Sequence, residues 1–277
     1  MQRYVLQDED HLSIAESIQS DCAGLGELVD DQLLAAYRTD CGSIPYQFTG
    51  IYPTDGVILW GLIRRFRPNV VVETGTGRAV SSQILLKALR RYAPGSRFIT
   101  IGESSPEAMA TASEILAAYP ECTQVEGRAP ADLIPHLDCM TTASVGIFID
   151  GPKGSSPEFA ELLHAIFRRL RPEFVAVHDC EKHIPRGFDP DGKWPQGRIN
   201  PTRAQLSAFN EQHLAGDYHL GFMDDAWCEA NDALNAAVYG SGHGLSPYVY
   251  KGSRQRSHSP YLGVLHRLDA VVQGQAA

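Results

Sequence analysis

The 277-residue chain has no CxxC pair and no cysteine spacing suited to zinc. Its six cysteines, at 22, 41, 122, 139, 180 and 228, stand singly in a chain too large to need disulfide staples, so reduced thiols in a cytoplasm are expected. No run of about 18 apolar residues occurs, and Met1 to Asp10 lack an apolar signal core. The expectation is a soluble protein with no membrane partner. Positive charge is in deficit: 24 Lys and Arg face 33 Asp and Glu, for a formal net charge of -9. Such a field repels a phosphate backbone, which argues against nucleic acid as a partner. No internal repeat is visible.

With 43% hydrophobic residues, the chain has enough apolar material for one large core plus additions. Residues 70 to 82, Val-Val-Val-Glu-Thr-Gly-Thr-Gly-Arg-Ala-Val-Ser-Ser, carry the most information. Three β-branched residues in a row suit a strand covered on both faces, Glu73 falls at its carboxyl end, and Gly75 and Gly77 permit a sharp turn close to a ligand. Around this junction the pattern is regular. Strands at 70 to 73, 97 to 101, 123 to 126, 144 to 149 and 173 to 178 alternate with helices at 79 to 92, 106 to 118 and 157 to 170 and a helical turn at 130 to 137. Alternation of this length predicts right-handed βαβ crossovers and a mainly parallel α/β sheet.

The flanks are read separately. Residues 11 to 40 suggest one or two amphipathic helices serving as a lid or dimer surface, so residues 1 to 50 are taken as a helical extension and a homodimer is expected. A helix over 55 to 67 is capped by Thr54 and ended by Pro68. Residues 181 to 200 and 224 to 246 read as insertions, 201 to 214 as a helix capped by Asn200, and Tyr218 to Met223 with Pro247 to Tyr250 as an antiparallel edge pair. Residues 253 to 277 are taken as a tail.

A dinucleotide fingerprint requires a third glycine and a downstream acid. Here the third glycine is missing and Glu73 precedes the other two. An acid at a strand end followed by spaced glycines resembles motif I of class I S-adenosylmethionine (SAM)-dependent methyltransferases, with Ala79 where many members carry a further glycine. The resemblance covers roughly residues 50 to 252. It implies a Rossmann-like seven-stranded, mainly parallel sheet with helices on both faces and a terminal antiparallel pair. A nicotinamide-dependent oxidoreductase and a non-catalytic protein on the same fold are the alternatives.

Residue by residue, the resemblance implies that SAM is held by Glu73, Gly75, Gly77, Ser81, Glu103, Ser104, Arg128, Ala129 and Asp150. Glu103, in Ile-Gly-Glu-Ser-Ser-Pro-Glu, falls where the family places the acid that accepts from both ribose hydroxyls. Gly127-Arg128-Ala129 stands where many members have Gly-Asp-Ala, so Arg128 replaces an acid near the adenine.

Ile147-Phe-Ile-Asp-Gly-Pro-Lys153 and Val175-Ala-Val-His-Asp-Cys180 end the next two strands. They are similar to the Asp-x-x-Lys and Asp-Asn segments of metal-dependent O-methyltransferases that act on small molecules. The similarity implies Mg2+ held by Asp150 and Asp179, with Glu181, His178 or water as a third ligand, because Cys180 is a poor ligand for this ion. Lys153, His178 or His183 is the candidate base. Phe188, Trp194, Trp227, Tyr239 and His243 are candidate walls for a small-molecule hydroxyl substrate.

Overall fold

Side chains along the central strands alternate between two apolar layers, and that period of two fixes the architecture. A computed structural model describes residues 28 to 44, 51, 53 to 180, 200 to 223 and 262 to 268. Seven strands form one sheet: β1 (Val70–Thr74), β2 (Arg97–Gly102), β3 (Cys122–Glu126), β4 (Val145–Ile149), β5 (Phe174–Val177), β6 (Tyr218–Phe222) and β7 (Gly263–Arg267). Val71, Phe98, Phe148, Phe174, Ala176 and Val264 face one layer. Val70, Val72, Ile99, Ile101, Ile147, Ile149, Val175 and Leu265 face the other.

The described helices are α1 (Asp31–Cys41), α2 (Pro53–Phe66), α3 (Val80–Tyr92), α4 (Pro106–Leu116), α5 (Ile134–Asp138), α6 (Pro157–Arg169) and α7 (Pro201–Phe209), the last continuing as a π-helical turn over Asn210–Leu214. The first four pack on the Val71 face and the last three on the Val70 face. Several begin as their sequences dictate. Asp30, Ser105, Ser156 and Asn200 each accept a backbone N–H of the helix that follows, and proline opens α4, α6 and α7.

Strand order is β3-β2-β1-β4-β5-β7-β6. The neighbours from β3 to β5 pair in parallel, and β7 runs antiparallel to both β5 and β6. The mainly parallel Rossmann-like sheet is thus as expected, but the seventh strand is not where the sequence placed it. Gly263–Arg267, in the stretch taken as a tail, pairs between β5 and β6, so the sheet extends past residue 252. Pro247 to Tyr250 lie outside the described residues.

One other expectation is corrected. Helix α2 begins at Pro53, which puts Thr54 inside the first turn; at the other end Arg67 enters the left-handed region at φ 44° and Pro68 follows. Helix α1 packs one face inward. Leu28, Val29, Leu33, Leu34, Tyr37 and Cys41 are buried in the chain's own core. Arg64 of α2 holds both carboxylate oxygens of Asp30 at 2.8 Å, locking the start of α1 to α2.

Between these helices lies Trp60, fully buried and edge-on to Tyr37 and Tyr92 at centroid distances of 5.5 and 5.9 Å. A Cβ on Gly56, one helical turn earlier, would sit 2.2 Å from the Tyr37 hydroxyl oxygen. Glycine inside a helix ordinarily costs about 1 kcal/mol relative to alanine. Here the sign reverses: Gly56→Ala should destabilise the fold by about 1–3 kcal/mol through overpacking. Combining it with Tyr37→Phe should recover part of that loss, and urea unfolding of the four-member cycle measures it; strictly additive effects would refute the contact.

Candidate functional site

The chain leaves β1 through a turn that needs positive φ at three residues: Gly75 at 94°, Gly77 at 51° and Ala79 at 59°. Gly75 N–H donates to Ile101 O at 2.7 Å, and Asp150 N–H donates to Thr74 O at 2.8 Å, so the turn is tied to the ends of β2 and β4. A Cβ on Gly75 would meet the Asp150 carbonyl carbon at 3.0 Å. Helix α3 starts directly afterwards, and its first N–H groups point at the same space, an arrangement suited to an anion. A cleft of about 250 Å³ opens there. Gly75, Gly77, Ser81, Ser104 and Asp150 line it, with Ile51, Thr76, Arg78, Val80, Ser105 and Ala108.

Glu73 lies in β1 just before the turn. It has no exposure and accepts hydrogen bonds from Ser81 at 2.5 Å, Thr100 at 2.7 Å and Ser82. Burial pushes its carboxyl up to about 7, against the pull of the three hydroxyl donors. Glu73 therefore sits beneath the cleft and holds the strand end and the start of α3 together. It is a positioning residue without a cleft face.

Glu103 and Arg128 meet each other at neighbouring strand ends. Both are exposed, at the ends of β2 and β3, and they pair with each other through Arg128 Nε. The Arg128 guanidinium holds the Glu103 carboxyl below the usual range. Arg128 N–H donates to Asp132 at 2.7 Å, and the partly buried Ala129 packs against the core. Neither Glu103, Arg128 nor Ala129 lines the cleft itself.

At the ends of β4 and β5, charges of opposite sign alternate. Lys153 Nζ donates to Asp150 Oδ1 at 2.8 Å and to Asp179 Oδ2. His178 Nδ1 lies 2.9 Å from Asp150 Oδ1 and 3.3 Å from Asp179 Oδ1. Its Nε2 lies 3.4 Å from Oδ2 of Asp55, an acid of α2 with no exposure. Burial alone would lower the His178 pKa, but Asp179 and Asp150 outweigh it and raise that pKa well above the ordinary 6.5. Burial would likewise lower Lys153, and the same two carboxylates raise it. Burial would raise Asp150, yet His178 and Lys153 hold it at about 2.

The two carboxylates therefore favour the charged forms of Lys153 and His178 over a free base at either. His183 and Glu181 lie outside the described residues, as do Phe188, Trp194, Trp227, Tyr239 and His243. One ligand atom each from Asp150, His178 and Asp179 lies within 4.8 Å of the others, a spacing that suits a divalent ion. The donor set as arranged does not fit one, because the Lys153 ammonium already bridges the two carboxylates and His178 Nδ1 faces both. Cys180 is fully buried in the core, with its sulfur 3.1 Å from where a Cβ on Gly263 would lie, and cannot complete a ligand set.

An O-methyltransferase from Bacillus cereus, solved with S-adenosylhomocysteine (SAH), matches 86% of this chain and 90% of its own at a TM-score of 0.50 and 16% identity. The chain has the methyltransferase fold. Similar too are the O-methyltransferase TomG from Streptomyces achromogenes, involved in tomaymycin synthesis and solved with SAM (TM-score 0.44, 18% identity, 95% of this chain and 99% of that one), and a precorrin-6y C5,15-methyltransferase from Geobacter metallireducens (0.48, 18%, 82% and 96%). No family model and no curated protein matches the sequence.

Sequence reasoning missed Asp55, Ser82 and Thr100. Asp55 looks like any acid in the first turn of a helix, and the two hydroxyls look like ordinary helix and strand residues. The Glu73 cluster yields a pH signature. Because its folded pKa stands above the ordinary 4.5, the folded chain keeps a proton that the unfolded chain has released. That contribution to stability is full below about pH 4.5 and is lost as pH rises through about 7. Glu73→Gln removes the titration, so its Tm relative to wild type should rise between about pH 5 and about pH 8. A constant difference across that range, measured by calorimetry, would show that Glu73 is ionised throughout.

Proposed function

We propose that the chain is a SAM-dependent methyltransferase that methylates a hydroxyl of a small molecule such as a sugar, a phenol or another natural product. The observation that carries this proposal is the double role of Asp150: the residue lines the glycine-loop cleft, and its carboxylate anchors Lys153 and His178. A donor seated in the cleft is thereby brought next to charged groups able to manage an acceptor hydroxyl. The sheet supports the proposal as well. An antiparallel β7 between β5 and β6 departs from the 3-2-1-4-5-6 parallel order of dinucleotide-binding sheets, which weighs against a nicotinamide cofactor.

The residues fit such a donor. The N–H groups at the start of α3 and the Ser81 hydroxyl suit its carboxylate, Asp150 suits its positive charge, and Glu103 keeps one carboxylate oxygen for a ribose hydroxyl beside its pair with Arg128. SAM supplies a methyl group on a sulfonium that leaves readily. The protein has to place the acceptor in line and take charge of its proton. Asp179 is the carboxylate for that task, its side chain 42% exposed against 19% for Asp150. With such a donor bound, Asp179 would accept the hydroxyl proton as the oxygen takes the methyl group and the sulfur departs as a neutral thioether, and the Lys153 ammonium would stabilise the oxygen as its charge develops.

Calorimetry should show SAH binding to the purified chain and no binding of NAD or NADP. Gly75→Val, which forces a side chain into the Asp150 contact at a φ of 94°, should weaken SAH at least about tenfold while the circular dichroism spectrum is kept. Absence of SAH binding in the wild type, or binding of a nicotinamide cofactor in its place, would sink the proposal.

A further inference from the structure

Metal-assisted methyl transfer places a divalent ion between carboxylates at the ends of two neighbouring strands. In this chain that position is already filled. We propose that the Lys153 ammonium is the resident cation of the site, that wild-type protein therefore binds no divalent metal between Asp150 and Asp179, and that removing the ammonium uncovers a divalent-cation site formed by Asp150, Asp179 and His178. The consequence for catalysis rests on the methyltransferase proposal above; the cation assignment itself does not.

Lys153 Nζ reaches one oxygen of each carboxylate, Asp150 Oδ1 at 2.8 Å and Asp179 Oδ2, so it stands between them. The ammonium is not on a free tether. Gly154, the next residue, donates its N–H to the hydroxyl of Thr202 at 2.9 Å, and Thr202 is 3% exposed in the first turn of α7. This bond pins the Asp150 to Gly154 turn to a helix. His178 closes the ring from the other side, with Nδ1 at 2.9 Å from Asp150 and 3.3 Å from Asp179. Two carboxylates thus alternate with an ammonium and an imidazole.

A divalent ion entering this ring would meet an ammonium a few ångströms away. Like charges at that separation in a partly water-excluded site repel strongly, and a double charge doubles the repulsion. The ion would also lose Asp150 Oδ1, which is already shared between Lys153 and His178. An intramolecular cation bears none of the translational entropy cost that a dissolved ion pays on binding. With Lys153 shortened or neutralised, two hard oxygens face one gap, and His178 Nδ1 joins them as a ligand when the incoming ion displaces its proton. That set is adequate for Mn2+ or Mg2+ with water completing the shell.

Mn2+ is the probe, because the electron paramagnetic resonance signal of the free ion disappears on binding. Wild type, Lys153→Met, Lys153→Gln and the double variant Lys153→Met with Asp150→Asn would each be titrated with MnCl2, and SAH affinity and Tm measured on the same samples. Wild type should show no saturable site. Lys153→Met and Lys153→Gln should bind Mn2+ at least about tenfold more tightly, and the added Asp150→Asn should remove the gain. The glutamine variant keeps a hydrogen-bond donor toward the carboxylates, so it supplies the measurement if the methionine variant fails to fold. Saturable Mn2+ binding by wild type that Asp150→Asn abolishes would overturn the proposal, since the lysine would then yield to a resident metal. Folded Lys153 variants with no gain in Mn2+ affinity would overturn it equally. Loss of SAH binding from every sample, wild type included, would instead remove the methyltransferase proposal and leave the metal result to stand by itself.

Discussion

The absence of a side chain at Gly75 lets the end of β1 lie directly against Asp150, and the geometry of the site follows from that contact. β1 and β4 are neighbours at the point where the chain, having crossed to β2 and β3 on one side, returns to build β4 and β5 on the other. Open α/β sheets place ligands at such a switch point because the two crossovers diverge and leave a crevice. With Asp150 N–H bonded to Thr74 O and a would-be Cβ on Gly75 only 3.0 Å from the Asp150 carbonyl carbon, the two strand ends stay level. A single residue then belongs to the cleft and to the charged ring beside it.

Two buried acids near that contact are driven in opposite directions. Glu73 is surrounded by hydroxyls, which donate to a carboxylate without carrying charge, so burial prevails and its pKa is pushed up to about 7. Asp150 faces an ammonium and an imidazole, which prevail over burial and hold it at about 2. The outcome is a division of labour. Asp150 presents a fixed negative charge to the cleft, while Glu73 serves as a hub for Ser81, Ser82 and Thr100 and keeps α3 seated on β1 and β2.

The parts of this architecture legible in the sequence are those set by local pattern. Val70 to Val72, Ile147 to Ile149 and Val175 to Val177 are apolar on both faces and fold as central strands, and Asn200-Pro201 and Ser156-Pro157 start helices where capping chemistry puts them. What escaped depends on contacts far apart in the chain. Gly-Val-Leu-His-Arg has little β signal of its own, and it is a strand because its pairing with β5 and β6 and the stacking of His266 near Phe66 and His219 are tertiary effects. The same holds at the site. Asp150, Lys153 and Asp179 were visible as strand-end residues, but their mutual neutralisation was not, and neither was Asp55, which reaches His178 from a helix more than a hundred residues earlier.

Placement of β7 also bears on why a lysine has become the cation. Residues 178 to 180 send three successive side chains in different directions. His178 turns inward to Asp55 and Asp150, Asp179 turns toward Lys153, and Cys180 enters the core against Gly263 of β7. An extended strand alternates between only two directions. The third is obtained by Asp179 adopting a φ of 56°, a region that a residue with a Cβ enters at a cost of roughly 1–2 kcal/mol. Burying Cys180 under β7 removes that position from the site, and among the described residues the carboxylate oxygens at the two strand ends are those of two aspartates. Two carboxylates without a third oxygen ligand hold a divalent ion weakly but are well matched to two single positive charges, and Lys153 and His178 provide them.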